Sequence, residues 1–247
     1  MRLINRLASG LMAFCLLTFS PSDVGFSQVS SPIEILIPAP GDSFSSSIPV
    51  SAHIEPDGDG LIRVVLYAGS GQIIARQLLK TPKTEQTPIL FESDVFFEQR
   101  QESQPALLCL SISDRYHRPQ ALRSVYLTLE DQPADQRSLP QPVVSDWLQI
   151  DQPQSDDTIA GGQFLVTGVV RPVTAQPIYF DLITDTGGII GTSQLAVADP
   201  GAEVVFSISL SYSFIDEVRD VRLVVRQSDP EFGARIVLDS IPLWLEP

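Results

Sequence analysis

The side chains most often used for catalysis and metal binding are sparse in this sequence. It contains two histidines, His53 in a predicted strand and His117 in a predicted loop, and neither stands in the clustered set of ligands that zinc requires. There is no Gly-x-Ser-x-Gly nucleophile elbow, no His-Glu-x-x-His helix and no Gly-rich phosphate loop. We therefore expect no catalytic residues, no metal and no cofactor. The sequence identifies no binding residues.

An acidic loop, Glu55–Gly60, resembles the start of a calcium-binding loop. Its carboxylates Asp57 and Asp59 stand at alternate positions, and a glycine follows for the turn. The twelfth position, where such a loop needs a bidentate glutamate, is Leu66. We interpret the segment as a polar hairpin turn, with calcium binding as the alternative.

A second acidic cluster, Asp151–Asp157, has three interpretations. It is solvated, or it holds a cation near a hinge, or it supplies Asp156 and Asp157 as the acid and base of a hydrolase. The last interpretation requires two carboxyl groups held at a fixed separation across a cleft. Solvation is the simplest of the three.

The two tryptophans, Trp147 and Trp244, lie in the predicted first and last strands of the second half of the chain. An exposed indole can stack on a sugar or anchor a partner. We interpret both side chains as core residues at the edge of a sandwich, with exposure as the alternative.

Residues 1–27 have the layout of a secretory signal. Two arginines precede an apolar run, Leu7–Phe19, and Ser20–Gln28 is small and polar. The apolar run is about thirteen residues long, shorter than the roughly 20 of a membrane-spanning helix. We expect cleavage after Ser27, a secreted, periplasmic or cell-surface location and no stable membrane span after processing. An uncleaved anchor is the alternative.

The charge of the chain excludes one class of partner. The formal net charge is -14 at pH 7. An acidic surface repels phosphate backbones, and basic clusters are absent from the sequence, so nucleic acid is not an expected partner. The charge is interpreted as a source of solubility, and a cationic partner is the alternative.

The strongest feature of the sequence is an internal repeat. Segments of the two halves align at an offset of 116 residues: Val50–Pro56 with Val166–Pro172, Gly71–Ala75 with Gly187–Gly191, and Ser124–Glu130 with Ser240–Glu246. Cys109 aligns with Val224. Because Cys15 lies in the signal segment, Cys109 has no partner for an internal disulfide, and we expect it to be a small buried hydrophobe.

Each repeat shows apolar residues at every second position in short runs separated by turn residues, which predicts strands. They are predicted at 33–37, 48–54, 61–67, 72–79, 89–97, 106–113 and 122–129, and at 147–151, 163–170, 177–184, 188–195, 203–212, 220–227 and 236–245. About seven strands in roughly a hundred residues indicate a two-sheet sandwich. We predict an all-β protein with domains at 31–130 and 146–247. A stiff Pro-rich linker at 131–145 would make them two separate lobes.

These motifs resemble the immunoglobulin-like domain of bacterial spore-germination and other envelope proteins. The resemblance rests on the opening strand and turn Ile35–Gly41, on strands that lead to Pro56 and Pro172, and on the Gly-x-Ile-Ile hairpins at Gly71 and Gly187. The paired cysteines and central tryptophan of antibody domains are missing. The resemblance implies two tandem immunoglobulin-like β-sandwich domains, an extracytoplasmic interaction module and no catalytic residues.

Three functions are compatible with this sequence. The first is a noncatalytic envelope or cell-surface binding module, whose partner is an envelope protein or a cell-wall polymer. The second is a structural spacer of the envelope. The third is a small secreted hydrolase that uses the carboxylates of Asp156 and Asp157, since a fold does not dictate a function.

Overall fold

The alternation of apolar and polar side chains forms strands throughout the part of the chain that the structure describes. This structure is a computed structural model, and it describes residues 31–57, 60–80, 87–98, 103–131, 147–213 and 217–247. The predicted signal segment lies outside these ranges, and so does the predicted linker apart from Asp131. No helix in the described ranges is long and apolar enough to cross a membrane.

Within the described residues, the first repeat has eight strands. They are β1 (Ile33–Ile37), β2 (Ser43–Phe44), β3 (Ser47–Ile54), β4 (Leu61–Ala68), β5 (Ile73–Lys80), β6 (Ile89–Phe96), β7 (Ser103–Ser113) and β8 (Pro119–Glu130). The second repeat contains their counterparts. They are β9 (Leu148–Gln152), β10 (Thr158–Ile159), β11 (Gln163–Val170), β12 (Ile178–Thr184), β13 (Ile189–Leu195), β14 (Val204–Ser211), β15 (Arg219–Asp229) and β16 (Ala234–Leu245).

Each repeat is an immunoglobulin-like sandwich. In the first, the sheet β1-β3-β6 faces the strands β5-β4-β7-β8, and in the second β9-β11-β14 faces β13-β12-β15-β16. The first, second and fifth long strands thus face the third, fourth, sixth and seventh. A constant-type immunoglobulin domain differs in that its fourth strand belongs to the sheet of the first, second and fifth. The predicted fold class, all-β with two such sandwiches, is confirmed.

The core of each sandwich is formed by alternate side chains, as the sequence predicts. On β4, Ile62, Val64 and Leu66 are buried against the facing sheet, whereas Arg63 is exposed. Burial of a large aliphatic side chain contributes about 1.5–3 kcal/mol.

Two short strands, β2 and β10, were not predicted. Each pairs in parallel with the last strand of its own repeat, β2 with β8 and β10 with β16. Each has two residues, which is too few to show an alternating pattern in the sequence.

The prediction of two separate lobes is wrong. The last strands of the two repeats, β8 and β16, pair antiparallel, with Leu122 opposite Leu238. This contact joins β5-β4-β7-β8 and β13-β12-β15-β16, with the short strands β2 and β10, into one sheet of ten strands. Because Leu122 and Leu238 occupy equivalent positions of the repeat, the contact follows a pseudo-twofold axis that relates one repeat to the other.

The hydrogen bonds at this junction are reciprocal. Ser124 Oγ donates to the carbonyl of Ile236 at 2.8 Å, and its counterpart Ser240 Oγ donates to the carbonyl of Gln120, the counterpart of Ile236, also at 2.8 Å. The two repeats therefore use the same patch on both sides, as the subunits of a symmetric dimer do.

The symmetry is broken by charge at one pair of equivalent positions. Arg123 Nη2 donates to Asp239 Oδ2 at 2.8 Å, and the same carboxylate oxygen accepts a hydrogen bond from Trp147 Nε1 at 2.6 Å. Arg123 is buried, and the Asp239 side chain is 19% exposed. The pair forms a nearly dry ionic contact between the repeats.

Removal of the cation from this contact should destabilise the protein. We expect Arg123→Met to lower the free energy of unfolding by about 3 kcal/mol, because it leaves a largely buried carboxylate without its counter-ion. The Arg123→Met, Asp239→Asn double variant should regain part of the loss, since asparagine keeps an acceptor for the Trp147 indole and carries no charge.

Urea denaturation of the four chains of this double-mutant cycle measures the coupling. Arg63→Met, on the exposed face of β4, is the matched control and should change the free energy by less than about 0.5 kcal/mol. Equal decreases in the free energy of unfolding for Arg123→Met and Arg63→Met would contradict the expectation.

Candidate functional site

A cavity of about 520 Å³ lies where the two repeats meet. Its walls come from the loop between β7 and β8, the loop after β9, and parts of β15 and β16, with Asp57 contributed by the loop after β3. We call this space the junction cavity. It is lined by charged side chains on one side, which include Arg118 and Arg222, and by a mixed polar and apolar rim that includes Gln154 and Trp244.

The charged wall is a chain of ion pairs. Arg118 Nε lies 2.7 Å from Asp114 Oδ2, and Arg118 Nη1 lies 2.9 Å from Asp220 Oδ1. Arg222 Nη2 lies 2.7 Å from Asp57 Oδ2, and its Nε lies 3.5 Å from Asp114 Oδ2 without a hydrogen bond. Because charges are costly to bury unless they are paired, these contacts are what allow two arginines to lie inside the molecule.

Burial and pairing affect the two arginines differently. Burial opposes the charge of Arg118, but the hydrogen bonds and charges of Asp220 and Asp114 outweigh it, so the pKa of Arg118 is raised above its ordinary value. Burial lowers the pKa of Arg222 below its ordinary value, although Asp114 and Asp57 act in the opposite direction. Both groups remain cations, since an arginine stays protonated in proteins.

The loop that carries Arg118 is ordered by its own aspartate. Asp114 Oδ1 accepts hydrogen bonds from the backbone N–H of Tyr116 and of Arg118, both at 2.9 Å. His117 adopts a φ of 64° in this turn. An aspartate that bonds to the backbone a few residues ahead is a common way to fix a tight turn, so the guanidinium of Arg118 is held in position before any ligand arrives.

The rim of the cavity carries one partly exposed aromatic ring. Trp244, near the end of β16, is 42% exposed, and Leu148, Ile150 and Pro153 line the cavity with it. A site that combines an apolar surface with a few fixed polar groups is the usual composition of a ligand-binding cavity.

The tryptophan interpretation is correct for one residue and wrong for the other. Trp147 is buried, at 1% exposure, and its indole N–H is bonded to Asp239. Trp244 is half-exposed instead of belonging to the core. It lies on a strand buried on alternate residues, with Leu243 and Leu245 facing inward, so the indole points to the opposite side of the sheet.

The predicted acidic loop is engaged in an ion pair. Asp57 binds Arg222 of the other repeat, and Asp59 lies outside the described residues. Leu66, at the position where a calcium loop needs glutamate, is fully buried in the core. The described chain contains no group of three or more histidine, cysteine or acidic side chains placed to hold a metal ion.

The two carboxylates proposed for a hydrolase have different surroundings. Asp156 lines the junction cavity, whereas Asp157 Oδ2 accepts a hydrogen bond from the backbone N–H of Gln154 at 2.7 Å. The histidines are also apart from the cavity. His53 Nδ1 lies 3.2 Å from Glu34 Oε2 on the surface of the first repeat.

Sequence reasoning did not identify the arginines of the site. Arg222 stands between Val221 and Leu223, at the position of β15 that an alternating pattern assigns to solvent. One pattern in the sequence did indicate that the outer face of a sheet is covered: the unbroken apolar run Ala106–Leu110 on β7. Such a run is typical of a strand buried on both faces. In the structure its alternate residues Leu107 and Cys109 pack against the second repeat.

Cys109 is buried, as predicted. Burial raises the pKa of its thiol to about 12, and the thiolate is the reactive form.

We expect the Cys109 thiol of native protein at neutral pH to react with Ellman's reagent at least about 100-fold more slowly than that of protein unfolded in urea, because both access and ionisation are suppressed. Absorbance at the released thionitrobenzoate band measures the rate. Equal rates in the two states would contradict the burial of this thiol.

The stability of the junction should depend on pH through Asp239. Burial raises the pKa of Asp239 above its usual range and prevails over Arg123 and Trp147, which lower it. The folded state then holds the proton of Asp239 more tightly than the unfolded state does. The contribution of Asp239 to the free energy of unfolding is therefore largest below its unfolded pKa of about 4, and it is lost as pH rises through the folded pKa. We expect the free energy of unfolding of the native sequence, relative to Asp239→Asn, to fall as pH rises from about 4 toward neutrality. Urea titrations of both chains at a series of pH values test this, and a difference that grows with pH would show the opposite shift.

Comparisons with known proteins provide no family for this chain. No protein-family model matches it. No curated protein matches it either. Solved structures that match at low similarity include a red sea bream transglutaminase (11% identity, 88% of this chain, 32% of that chain, TM-score 0.28) and the FN1–FN3 domains of chicken CNTN1 (8% identity, 88% of this chain, 65% of that chain, TM-score 0.28). A Salmonella enterica SafA pilin in complex with the SafB chaperone also matches (10% identity, 85% of this chain, 95% of that chain, TM-score 0.28). The chain spans about a third of the transglutaminase and less than two thirds of the CNTN1 fragment, and these likenesses assign no function to it.

Proposed function

We propose that this protein is a noncatalytic binding module that acts outside the cytoplasm, and that its ligand or partner is bound at the junction cavity. The observation that carries the proposal is the combination, in one cavity, of a fixed charged wall and a half-exposed indole. Binding sites occur preferentially at the interfaces between domains, where two rigid bodies enclose a concave space.

The charged wall supports binding because it is organised in advance. Asp114 fixes the backbone of the loop and the guanidinium of Arg118, while Asp57 and Ser240 hold Arg222 from two sides. When the side chains of a site are already held in place, the binding of a ligand does not have to offset the conformational entropy lost by ordering them. The arrangement therefore favours recognition of a ligand over a purely structural use of these charges.

The extracytoplasmic location rests on sequence. Residues 1–27 have the layout of a secretory signal, and the repeats resemble the immunoglobulin-like domains of spore-germination and other envelope proteins. On this basis we place the chain with that type of domain, and its partner is a cell-wall polymer or an envelope protein.

A rigid spacer is the second candidate function. The ten-stranded sheet shared by the two repeats favours it, because a continuous sheet holds both ends of the molecule at a fixed distance. A spacer does not require a half-exposed tryptophan in a cavity, so the binding module remains the better explanation of the site.

Substitution of Trp244 should separate the two functions. We expect Trp244→Ala to reduce the amount of envelope material retained by immobilised protein by about tenfold or more, as is typical when a central aromatic anchor is removed. The ligand is solubilised envelope extract that contains both wall polymers and proteins. Phe96→Ala, which removes an exposed aromatic ring on β6 away from the cavity, should leave retention unchanged. Equal retention by all three chains would contradict binding at the cavity and leave the spacer as the function.

A further inference from the structure

We infer that the ligand of the junction cavity is a neutral carbohydrate, whose sugar ring stacks on Trp244 and whose hydroxyl groups bond to the charged wall. This inference rests on the proposed function and specifies its ligand class. It depends on the charge balance of the wall, on the polar atoms that remain available, and on the position of the indole.

Most of the charged side chains of the cavity are already paired with each other. Among the described residues that line it, four arginines stand against five aspartates. Each of the buried guanidinium groups has a carboxylate partner: Asp114 and Asp220 for Arg118, Asp57 for Arg222 and Asp239 for Arg123. A strongly anionic ligand that bound to one of these guanidinium groups would have to displace its carboxylate partner, which is costly in a largely dry site. A neutral ligand avoids that cost.

Hydroxyl groups suit the polar atoms that the ion pairs leave available. Asp57 is 58% exposed and accepts from Arg222 at Oδ2, which leaves Oδ1 for a ligand. Gln154 and Ser155 also line the cavity and present exposed groups that both donate and accept. Carboxylates only accept hydrogen bonds and guanidinium groups only donate them, whereas a hydroxyl does both. Neighbouring hydroxyls on a sugar ring can therefore satisfy an aspartate and an arginine together.

The rim supplies the apolar half of the recognition. Trp244 is 42% exposed, and the adjacent lining includes Ile241 and Pro242. A sugar ring is amphipathic, with hydroxyls at its edge and C–H groups on its faces. An indole buries such a face without requiring a hydrogen bond from it, and its large apolar area makes the contact favourable.

The shape of the site favours a glycan segment over a folded protein. The cavity holds about 520 Å³, which lies within the range of about 300–1,000 Å³ for sites that enclose small ligands. A stable protein partner would instead need roughly 1,200 Å² or more of buried surface, most of it outside this cavity.

The test uses the mature chain and a panel of short neutral oligosaccharides built from glucose, mannose, galactose and N-acetylglucosamine. Binding is screened on an array, and each positive is measured by isothermal calorimetry. We expect at least one of these glycans to bind, Trp244→Ala to weaken its affinity about tenfold or more, Trp244→Phe to keep a larger share of it, and the Phe96→Ala control to match the native sequence.

Two further readouts distinguish stacking from a general loss of structure. Trp147 is buried and Trp244 is half-exposed, so quenching of fluorescence by acrylamide reports mainly on Trp244, and a bound sugar should reduce it. Because the ligand is neutral, its affinity should change less than about twofold between low and high salt, whereas a carboxylated oligosaccharide held by the arginines would weaken as salt screens the attraction.

The outcomes separate this inference from the proposed function. If no neutral oligosaccharide binds but retention of envelope material still depends on Trp244, the carbohydrate inference is overturned and the binding module stands. If glycans bind equally well to Trp244→Ala, or only carboxylated glycans bind, the inference is overturned as well. If neither the binding of glycans nor the retention of envelope material depends on Trp244, both proposals fail.

Discussion

The antiparallel contact between β8 and β16 determines the rest of this structure. It places Leu122 opposite its repeat counterpart Leu238 and joins one sheet of each sandwich into a single continuous sheet. Each repeat then covers part of the outer sheet face of the other, which an isolated immunoglobulin-like domain would expose to water. The junction cavity and its charged wall exist because those two faces meet.

The buried charges at the junction define geometry more than they add stability. A buried ion pair often contributes little to folding, because the cost of removing both charges from water offsets their attraction. Its loss is nevertheless costly, and this restricts the repeats to one relative arrangement. Arg123 and Asp239 occupy equivalent positions with opposite charges. Two copies of the same repeat would bring like charges together at this contact, so the charge difference favours pairing of the first repeat with the second over pairing of either repeat with a copy of itself.

The same contacts provide the physical basis for binding. Asp114 and Asp57 hold Arg118 and Arg222 in fixed positions, and Trp244 remains half-exposed beside them. Immunoglobulin-like sandwiches serve many unrelated functions, so the fold alone does not indicate one. The function proposed for this chain depends instead on which side chains the junction brings together and on what each of them still has available for a ligand.

The amino-acid pattern was sufficient to predict the long strands, the duplication and the two cores, because alternation of apolar side chains and turn residues are local properties. The burial of Cys109 was also predictable, from its alignment with Val224. The site was not predictable in the same way. Arg222 and Trp244 both stand on the outward side of their strands, and no local pattern distinguishes an outward side that meets water from one that meets another repeat. The burial of Arg222, its pairing with Asp57 from a distant loop and the place of Trp244 at a cavity all depend on a contact between segments more than a hundred residues apart, so they follow from the packing of the two repeats and not from a local pattern.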